Sequence, residues 1–386
     1  MKDHGKIKVA CVIGTRPEVI KMAPVIYELR RYPYYEVTLL CTAQHRELMD
    51  EMLTIFSLKP DIDLNIMKKD QSICTLTSEL FAKIEPILKN KKYSLVIAQG
   101  DTTTTLVTAE VCFFNKIPFA HIEAGLRSYD FHQPFPEELN RVFTAKLATW
   151  HFAPSKEERS NLILEGIKNK RIFVSGNPVI DALYMLARNE RKLPFKLPEN
   201  KRVILVTIHR RENFGNPIKN IFSALNRLTE IFNDIVITYP VHPNPQVNKL
   251  AYEQLSHNSS IMLLEPLPYD AFVTLMNKSY LIMTDSGGLQ EEAPALGKPV
   301  LVLRKKTERP LIIKLGLGRL VGTEIESIIN NATDLLTDPM QYQAMAKHIS
   351  PYGDGHAAEK IVNVISHYFL HGLQSVALRN ESDQAF

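Results

Sequence analysis

Cysteine is scarce in this chain, and the thiols have no metal-binding arrangement. Only four cysteines occur among 386 residues, namely Cys11, Cys41, Cys74 and Cys112, and none belongs to a C-x-x-C pair. Cys11, Cys41 and Cys112 stand in apolar runs, which is typical of buried, reduced thiols. We therefore expect neither a disulfide framework nor a structural zinc site.

Charge of one sign is not in excess, and long apolar runs are missing. The chain has 46 Lys and Arg against 42 Asp and Glu, a formal net charge of +4, which is too balanced to favour a nucleic-acid partner. No run approaches the ~20 apolar residues of a membrane span. The apolar run at residues 9–13 is too short for a secretory signal. We predict a cytoplasmic protein with neither a nucleic-acid nor a membrane partner.

Common cofactor motifs are also missing. No G-x-G-x-x-G follows the first apolar run, and the chain has neither G-x-x-x-x-G-K-[ST] nor H-E-x-x-H. These absences disfavour a nicotinamide cofactor, a P-loop nucleotide site and a zinc-hydrolase site. We predict that the function needs no cofactor and no metal.

Short apolar runs alternate with longer amphipathic segments, which predicts β-α-β units and a parallel sheet in each half of the chain. Predicted strands lie at 8–13, 36–41, 94–98, 119–122, 150–153, 171–174, 202–208, 234–239, 260–264, 280–284 and 299–303. Predicted helices lie at 17–31, 45–56, 74–89, 103–115, 137–148, 156–165, 216–232, 271–277, 289–296 and 357–370.

The length and this pattern predict an α/β protein with two doubly wound, Rossmann-like domains that face one cleft. We place the first domain at residues 1–175, joined by the C-terminal helix at about 357–372, and the second at 176–356. Residues 193–201 are rich in Pro and Lys and predict a loop near the junction. Residues 374–386 predict a polar tail.

Polar motifs follow the predicted strands of both halves. Because ligands bind beyond the carboxyl ends of the strands in doubly wound sheets, this placement predicts one shared site. The motifs are Gly14-Thr15-Arg16-Pro17-Glu18, Gln99-Gly100-Asp101-Thr102, Glu123-Ala124-Gly125-Leu126-Arg127, His209-Arg210-Arg211-Glu212, His242, Asp285-Ser286-Gly287-Gly288 and the segment from Arg304 to Arg309.

Ser286-Gly287-Gly288 has the composition of a phosphate-binding turn. Glycine lets the backbone approach a ligand closely, and a helix N-terminus presents unpaired N–H groups at the positive end of its dipole. The alternative is a plain turn with a serine cap. Arg16, Lys21 and Arg309 have the charge to neutralise a diphosphate, and the alternative for each is ordinary solvated charge.

Asp101, Glu123, Glu137 and His209 form the candidate catalytic set, because carboxylates and imidazole serve as general acids and bases. Each acid also has a structural interpretation. Asp101 suits a helix N-cap, while Glu123 and Glu137 suit the first turn of a helix, where the dipole favours negative charge. Spacing alone does not single out a reaction.

Longer motifs extend over nearly the whole chain, and together, in this order, they resemble those of the non-hydrolysing UDP-N-acetylglucosamine 2-epimerase family. They include Ile13-Gly14-Thr15-Arg16-Pro17-Glu18, Thr42-Ala43-Gln44-His45-Arg46, Gly100-Asp101-Thr102-Thr103-Thr104-Thr105, His121-Ile122-Glu123-Ala124-Gly125-Leu126-Arg127 and Pro136-Glu137-Glu138. The later ones are His209-Arg210-Arg211-Glu212-Asn213-Phe214-Gly215, Thr284-Asp285-Ser286-Gly287-Gly288-Leu289-Gln290-Glu291-Glu292, Thr307-Glu308-Arg309-Pro310 and Pro351-Tyr352-Gly353-Asp354-Gly355.

The resemblance implies a glycosyltransferase-B-like fold, a homodimer, UDP-N-acetylglucosamine as substrate and a place in cell-surface polysaccharide biosynthesis. It gives catalytic roles to Asp101, Glu123, Glu137 and His209. It puts nucleotide contacts at Arg16, Lys21, Phe272, Ser286, Gly287, Gly288, Glu292 and Arg309. Within that set, Glu292 would bind the ribose hydroxyls and Phe272 would lie by the uracil.

Three further positions match a second ligand site by the same resemblance. Some bacterial members bind a second, activating UDP-N-acetylglucosamine, and Gln44, Arg210 and His242 correspond to residues that hold it. The structural alternatives are that Gln44 caps the helix predicted from residue 45 and that His242 packs against neighbouring prolines.

Three places depart from the family's usual pattern. Ile208 stands where a Gly commonly precedes the histidine, and Pro178 stands where a Thr is usual. After Thr307-Glu308-Arg309-Pro310 the chain continues with Leu311-Ile312-Ile313-Lys314-Leu315, where an acidic residue and a small, flexible segment are usual.

The reaction we expect is reversible epimerisation of UDP-N-acetylglucosamine to UDP-N-acetylmannosamine. No carbonyl activates the C2 hydrogen, so the expected route is anti elimination of UDP to 2-acetamidoglucal and re-addition. The alternatives are a hydrolysing 2-epimerase that releases N-acetylmannosamine and UDP, a retaining glycosyltransferase, and an inert UDP-sugar sensor. The acidic set argues against the sensor.

Overall fold

The structure is a computed structural model that describes residues 6–43, 46–68 and 71–371. Packing divides the chain into unit 1, Met1–Ala182 with Tyr352–Phe386, and unit 2, Leu183–Pro351. The division falls inside the helix Pro178–Arg188, whereas the boundary drawn from the sequence, between residues 175 and 176, precedes that helix. Gln44 and the predicted tail at 374–386 lie outside the described residues.

Unit 1 is built on a seven-stranded parallel sheet in the order β3-β2-β1-β4-β5-β6-β7. Its strands are β1 Ile7–Ile13, β2 Tyr35–Cys41, β3 Ile62–Asp63, β4 Leu95–Gln99, β5 Phe119–Ile122, β6 Trp150–Ala153 and β7 Ile172–Val174. Its helices are α1 Arg16–Arg30, α2 Arg46–Ile55, α3 Ile73–Lys91, α4 Thr103–Phe114, α5 Glu137–Leu147, α6 Lys156–Leu164 and α7 Pro178–Arg188, which continues into unit 2.

Unit 2 is built on a six-stranded parallel sheet in the order β10-β9-β8-β11-β12-β13. Its strands are β8 Arg202–Thr207, β9 Ile235–Pro240, β10 Ile261–Leu264, β11 Leu281–Thr284, β12 Val300–Val302 and β13 Gly318–Leu320. Its helices are α8 Asn216–Ile231, α9 Pro245–Leu255, α10 Tyr269–Lys278, α11 Gly287–Ala295, α12 Pro310–Lys314, α13 Ile325–Thr337 and α14 Pro339–Met345.

The last described helix, α15 Ala357–His371, belongs to unit 1. The buried carboxylate of Asp181 accepts hydrogen bonds from the backbone N–H groups of Ala357 and Ala358, at 3.2 and 2.9 Å. These N–H groups stand at the start of the helix, where no backbone acceptor is available within it. A side chain of α7 therefore caps α15.

Strand order reverses at one place in each sheet, between β1 and β4 in unit 1 and between β8 and β11 in unit 2. Chain segments leave such a switch point toward opposite faces of the sheet, which opens a crevice at the carboxyl ends of the strands. The loops at Gly14 and Asp101 follow β1 and β4, and those at His209 and Ser286 follow β8 and β11. Each unit therefore carries predicted site motifs at its own switch point.

The prediction of an α/β protein with two Rossmann-like units is confirmed, as are the loop at 193–201 and the burial of Cys11, Cys41 and Cys112. The strands β3, Ile-Asp, and β13, Gly-Arg-Leu, were missed because neither is an apolar run, whereas the three-residue strands β7 and β12 are apolar throughout. No helix within the described ranges has both the length and the apolar content to cross a bilayer.

Candidate active site

Glu18 joins the two loops at the switch point of unit 1. Its buried carboxylate accepts hydrogen bonds from the backbone N–H of Gly14 at 2.8 Å and from the Thr102 hydroxyl at 2.7 Å. Burial raises the pKa of Glu18, and the donated hydrogen bonds partly offset that increase. At Gly14 a Cβ would lie 2.3 Å from Oγ1 of Thr42, so only glycine fits this turn without displacing a neighbour.

Glu123 lies directly after β5, and three side chains of unit 1 hold its carboxylate. Lys21 Nζ lies 2.5 Å from one oxygen, Asn177 Nδ2 donates at 2.7 Å, and Gln99 Nε2 also donates. The Glu123 side chain is 8% exposed. Its backbone has φ of 62°, an uncommon conformation for a non-glycine residue that places it in a turn rather than a helix. The helix-acid interpretation of Glu123 is therefore wrong.

Asp101 follows β4, and side chains of α5 contact it. Arg141 Nη2 lies 2.5 Å from the Asp101 carboxylate, and Asn140 Nδ2 donates to the Asp101 carbonyl at 2.9 Å. Burial raises the pKa of Asp101, and the nearby Glu123 charge adds to this, although the Arg141 guanidinium opposes it. The helix α4 is capped by Thr102 and not by Asp101, so the N-cap interpretation of Asp101 is also wrong.

Glu137 opens α5, as the sequence predicts, and is partly exposed. It precedes Arg141 by four residues, and side chains at this spacing lie on one face of a helix. Since Arg141 contacts Asp101, Glu137 stands on the side of α5 that faces the Asp101 loop. Unit 1 thus gathers carboxylates on neighbouring elements, an arrangement able to donate and accept protons.

Two predicted nucleotide contacts lie near the carboxyl end of β1. Arg16 is the first residue of α1 and is partly exposed, with no hydrogen-bond or ion-pair partner among the residues that the structure describes. Lys21 lies one turn further along α1, where it pairs with Glu123. The structure therefore associates Lys21 with the carboxylate cluster of unit 1.

His209 and Asp285 form the centre of the switch point in unit 2. Nδ1 of His209 lies 2.8 Å from Oδ1 of Asp285, whose side chain is fully buried. The centroids of the His209 and His242 rings lie 6.0 Å apart, and the ring planes are tilted by 30°. Burial favours a higher pKa for Asp285, but hydrogen bonds from His209 and from the Arg210 backbone outweigh it, so the pKa of Asp285 is lowered.

The Ser286-Gly287-Gly288 turn opens α11, as predicted for a phosphate-binding turn. Ser286 is the N-cap residue by position, but its side chain accepts no cap hydrogen bond. The serine-cap alternative is therefore wrong. A Cβ on Gly287 would lie 3.5 Å from Nη2 of Arg210, so this guanidinium stands beside the first turn of α11. The buried Nε of Arg210 has no partner among the described residues.

The other predicted nucleotide residues of unit 2 lie on α10, α11 and the start of α12. Glu292 is buried and accepts a hydrogen bond from the Tyr269 hydroxyl at 2.8 Å. Phe272 is partly buried one turn inside α10. Arg309 precedes α12 and pairs with Glu291. Arg309 is thus held near α11 by an ion pair.

The departures from the family pattern are accommodated by packing. Ile208 is 1% exposed and belongs to the core of unit 2. Pro178 is the first residue of α7, a position that suits proline. Ile312 is fully buried in α12, and its Cδ1 lies 3.0 Å from the position of a Cβ on Gly318. Of the segment Leu311-Ile312-Ile313-Lys314-Leu315, Ile312 therefore anchors α12 in unit 2, while Lys314 and Leu315 are exposed.

Three residues that contact the predicted set were missed as site residues. Asp285 opens a motif that directly follows β11, and Asn177 lies between β7 and α7, next to Pro178. Arg141 gives no such signal, because it lies within a helix. No group of three or more His, Cys, Asp or Glu able to hold a metal ion occurs within the described ranges.

The sequence of this chain is similar to those of known UDP-N-acetylglucosamine 2-epimerases. A sequence model of the family described as UDP-N-acetylglucosamine 2-epimerase matches residues 27–366. The UDP-N-acetylglucosamine 2-epimerase of Salmonella typhimurium strain LT2 is 45% identical over 373 residues, covering 94% of this chain and 99% of that protein.

Solved structures agree with this comparison. The UDP-GlcNAc 2-epimerase from Neisseria meningitidis, bound to UDP-GlcNAc, superimposes with a TM-score of 0.80 at 44% identity, covering 93% of this chain and 99% of that one. The Methanocaldococcus jannaschii enzyme in complex with UDP-GlcNAc and UDP gives a TM-score of 0.71 at 33% identity, with coverage of 93% and 99%.

Proposed function

The chain belongs to the UDP-N-acetylglucosamine 2-epimerase family, and on that premise we propose that it interconverts UDP-N-acetylglucosamine and UDP-N-acetylmannosamine. The family and the isomerase class predicted from the sequence are confirmed. The observation that carries the proposal is the proximity of two partly buried carboxylates, Asp101 and Glu123, at the ends of the adjacent strands β4 and β5 of unit 1. Glu137 opens α5, the helix whose Arg141 contacts Asp101. Such a cluster supplies acid–base groups without a cofactor.

We assign nucleotide binding to residues at and near the switch points of the two units. A diphosphate carries negative charge, which the N-terminus of α11 at Ser286-Gly287-Gly288 and the cations Arg16 and Arg309 would stabilise. The Neisseria and Methanocaldococcus relatives bind UDP-GlcNAc in their structures, which supports the same ligand here. Glu292 would accept from the ribose hydroxyls, and Phe272 would lie by the uracil.

The chemical route is an anti elimination followed by re-addition. A carboxylate removes the C2 proton while the C1–O bond breaks, which leaves 2-acetamidoglucal and UDP, with the bonding electrons on the departing phosphate oxygen. UDP then adds back to C1, and a proton is delivered to the other face of C2. The two proton transfers need groups on opposite faces, and the leaving diphosphate needs positive charge and hydrogen-bond donors.

Roles follow from the charges around each group. Asp101 is our candidate acid, because its raised pKa favours the protonated form more than in an ordinary carboxyl. Glu123 and Glu137 are candidate bases. His209 would interact with the leaving phosphate oxygen through its ring. Lys21 pairs with Glu123 and would orient that carboxylate.

The experiment that tests the proposal is incubation with UDP-N-acetylglucosamine in D2O, followed by NMR. We expect UDP-N-acetylmannosamine with deuterium at C2, because the abstracted proton exchanges with solvent. Free N-acetylmannosamine and UDP in stoichiometric amounts would instead identify the hydrolysing alternative. Transfer of the sugar to an added acceptor would identify a glycosyltransferase, and binding without any product would identify a sensor.

Variants then test the acid–base set. Asp101→Asn, Glu123→Gln and Glu137→Gln should each lower turnover by ~10²–10⁴-fold. The matched control is Glu36→Gln, which alters an exposed carboxylate on β2 and should leave turnover unchanged. If all three variants stay within a few-fold of the parent protein, the catalytic set is wrong.

The nucleotide site has its own test. Ser286→Ala and Arg309→Ala should weaken UDP binding by calorimetry, since hydrogen bonds to charged groups contribute ~1.5–3 kcal/mol. Arg227→Ala is the control, because Arg227 pairs with Glu326 on the surface of unit 2. Equal UDP affinity in all variants would show that the nucleotide does not bind at Ser286 and Arg309.

The second-site hypothesis for Gln44, Arg210 and His242 stays a prediction. It predicts a sigmoidal dependence of rate on UDP-N-acetylglucosamine, which His242→Ala should flatten. A ligand raises the population of a conformation only by its differential affinity. A hyperbolic dependence of rate on UDP-N-acetylglucosamine in the parent protein would refute the hypothesis. The homodimer and the cytoplasmic location also stay predictions.

A further inference from the structure

Asp285 makes more contacts with the His209 segment than a turn residue needs. Besides the ring Nδ1 at 2.8 Å, the Asp285 carboxylate accepts from the backbone N–H of His209 at 3.0 Å and of Arg210 at 2.9 Å. Nδ2 of Asn213 donates to it at 3.0 Å. The Asp285 side chain has no solvent exposure, so all of these contacts form away from water.

The partners of Asp285 determine its protonation. Backbone N–H groups only donate, so a protonated carboxyl in this position would lose at least one of the accepted hydrogen bonds. The pKa of Asp285 is lowered despite the opposing effect of burial, because the hydrogen bonds from His209 and Arg210 outweigh it. Asp285 is therefore an acceptor at neutral pH.

An acceptor at this distance selects one form of the neutral imidazole. The nitrogen that faces a carboxylate must carry the hydrogen, and the other nitrogen then has the lone pair. For His209 this puts the hydrogen on Nδ1, beside Asp285, and the lone pair on Nε2. The ring of His242 lies beside that of His209, and Nδ1 of His242 accepts the backbone N–H of Asn244 at 3.2 Å.

We propose that Asp285 is a positioning residue that holds His209 in the Nδ1–H tautomer and leaves Nε2 as the nitrogen that exchanges a proton. Nε2 takes a proton from solvent while the Nδ1–H stays bonded to the Asp285 carboxylate, so the ring gains and loses that proton without reorienting. Resting on the proposed function, the ring protonated at both nitrogens passes its Nε2 proton to the phosphate oxygen as the C1–O bond breaks, which leaves His209 as the neutral Nδ1–H tautomer. The phosphate oxygen returns that proton to Nε2 when UDP adds back to C1.

A purely structural role for Asp285 would require only its backbone contacts. In that case the carboxylate would hold the turn from His209 to Asn213, and the tautomer of the ring would be incidental. The tautomer of His209 separates the two explanations, because it depends on the Nδ1 contact alone and can be measured without substrate.

The experiment is NMR of the full chain labelled with 15N-histidine, read through two-bond 1H–15N correlations at a pH where His209 is neutral. The His209 signals are assigned by their loss in His209→Gln. We expect the Nδ1–H tautomer in the parent protein. In Asp285→Asn we expect the Nε2–H tautomer, because the Asn amide can donate to Nδ1. Asn213→Ala is the matched control, since it removes one donor to Asp285 but keeps the Nδ1 contact.

Kinetics supply the second measurement. Asp285→Asn should lower kcat on the order of 10²–10⁴-fold with KM within a few-fold. The substrate still binds, but Nε2 of the neutral ring already carries a hydrogen and has no lone pair with which to take up and return the proton. The Nε2–H tautomer in the parent protein, or the Nδ1–H tautomer in Asp285→Asn, overturns the proposal. If Asp285→Asn does not fold, the tautomer of His209 in the parent protein alone tests the proposal. Failure of the epimerase assay with the expected tautomers would refute the proposed function and leave the tautomer assignment standing.

Discussion

Gly125 provides a sharp test of how tightly the loop after β5, which carries the proposed catalytic residue Glu123, is packed. It lies two residues after Glu123 and has φ of 95°. A Cβ at this position would lie 2.3 Å from the backbone oxygen of Glu158 in α6 and 2.9 Å from its carbonyl carbon. Gly125→Ala would therefore drive the loop against the backbone of a helix, which has no flexible end to move aside.

The loss of folding stability expected in Gly125→Ala has two parts. A left-handed conformation costs a residue with a Cβ ~1–2 kcal/mol. Ordinary non-bonded contacts are ~3.5 Å, so the loop and α6 must separate by about 1 Å, and overpacking of this kind costs ~1–3 kcal/mol. Ala124 of the loop and Leu162 of α6 share one buried cluster, so separating them also disturbs that core. We expect a total loss of ~2–5 kcal/mol.

Gly166→Ala is the matched control, because Gly166 follows α6 with φ of 83° but has nothing within 4 Å of a Cβ. It carries the conformational cost without the clash. Urea unfolding should show Gly125→Ala less stable than Gly166→Ala by ~1–3 kcal/mol, with unchanged m values. Turnover should fall only in Gly125→Ala, because a shift of about 1 Å misplaces Glu123. Equal stability of the two variants, or full turnover in Gly125→Ala, would refute this reasoning.

Two further predictions concern stability. Burial lowers the pKa of His121 to about 3, below its unfolded value of ~6.5, so the fold should be most stable above pH ~6.5 and lose stability as the pH falls toward 3. In urea unfolding at several pH values, the free energy of unfolding of His121→Gln should change less steeply with pH than that of the control His132→Gln, which alters an exposed side chain. The same pH dependence in both variants would contradict this prediction. Asp181→Ala should destabilise by ~1–2 kcal/mol through loss of the α15 cap, and hydrogen exchange should rise first at Ala357 and Ala358; unchanged exchange there would show that the cap contributes nothing.

The parts of the fold that follow from local pattern were predictable from the sequence. Apolar runs such as that of β4 are fully buried strands of a parallel sheet, and such strands read as continuous apolar runs. Motifs that follow strands, including those at Asp101 and Ser286, lie at the sheet edge because the carboxyl ends of parallel strands meet there. The family resemblance then supplied the reaction.

Pairings between distant residues were not predictable in this way. Arg141 and Asp101 are separated by 40 positions, and Asp285 and His209 by 76. Which side chains meet depends on strand order and on the register of helices over the sheet, and neither is encoded in a local run. The same holds for Lys21, for which the resemblance implies a nucleotide contact and which pairs with Glu123 in the structure.

The contacts of Asp101 also allow its role to be decided by experiment. The charges that face it are Arg141, Glu123 and Lys21, and Arg141 is the largest charge effect that lowers its pKa. Arg141→Met should therefore raise the pKa of Asp101 further. If Asp101 acts as an acid, activity declines when it loses its proton, so the alkaline limb of the pH–rate profile should move to higher pH. If Asp101 acts as the base, activity declines when it gains a proton, and the acidic limb should move up instead. Because burial already favours the protonated form, we expect the alkaline limb to move, and movement of the acidic limb alone would assign C2 proton removal to Asp101.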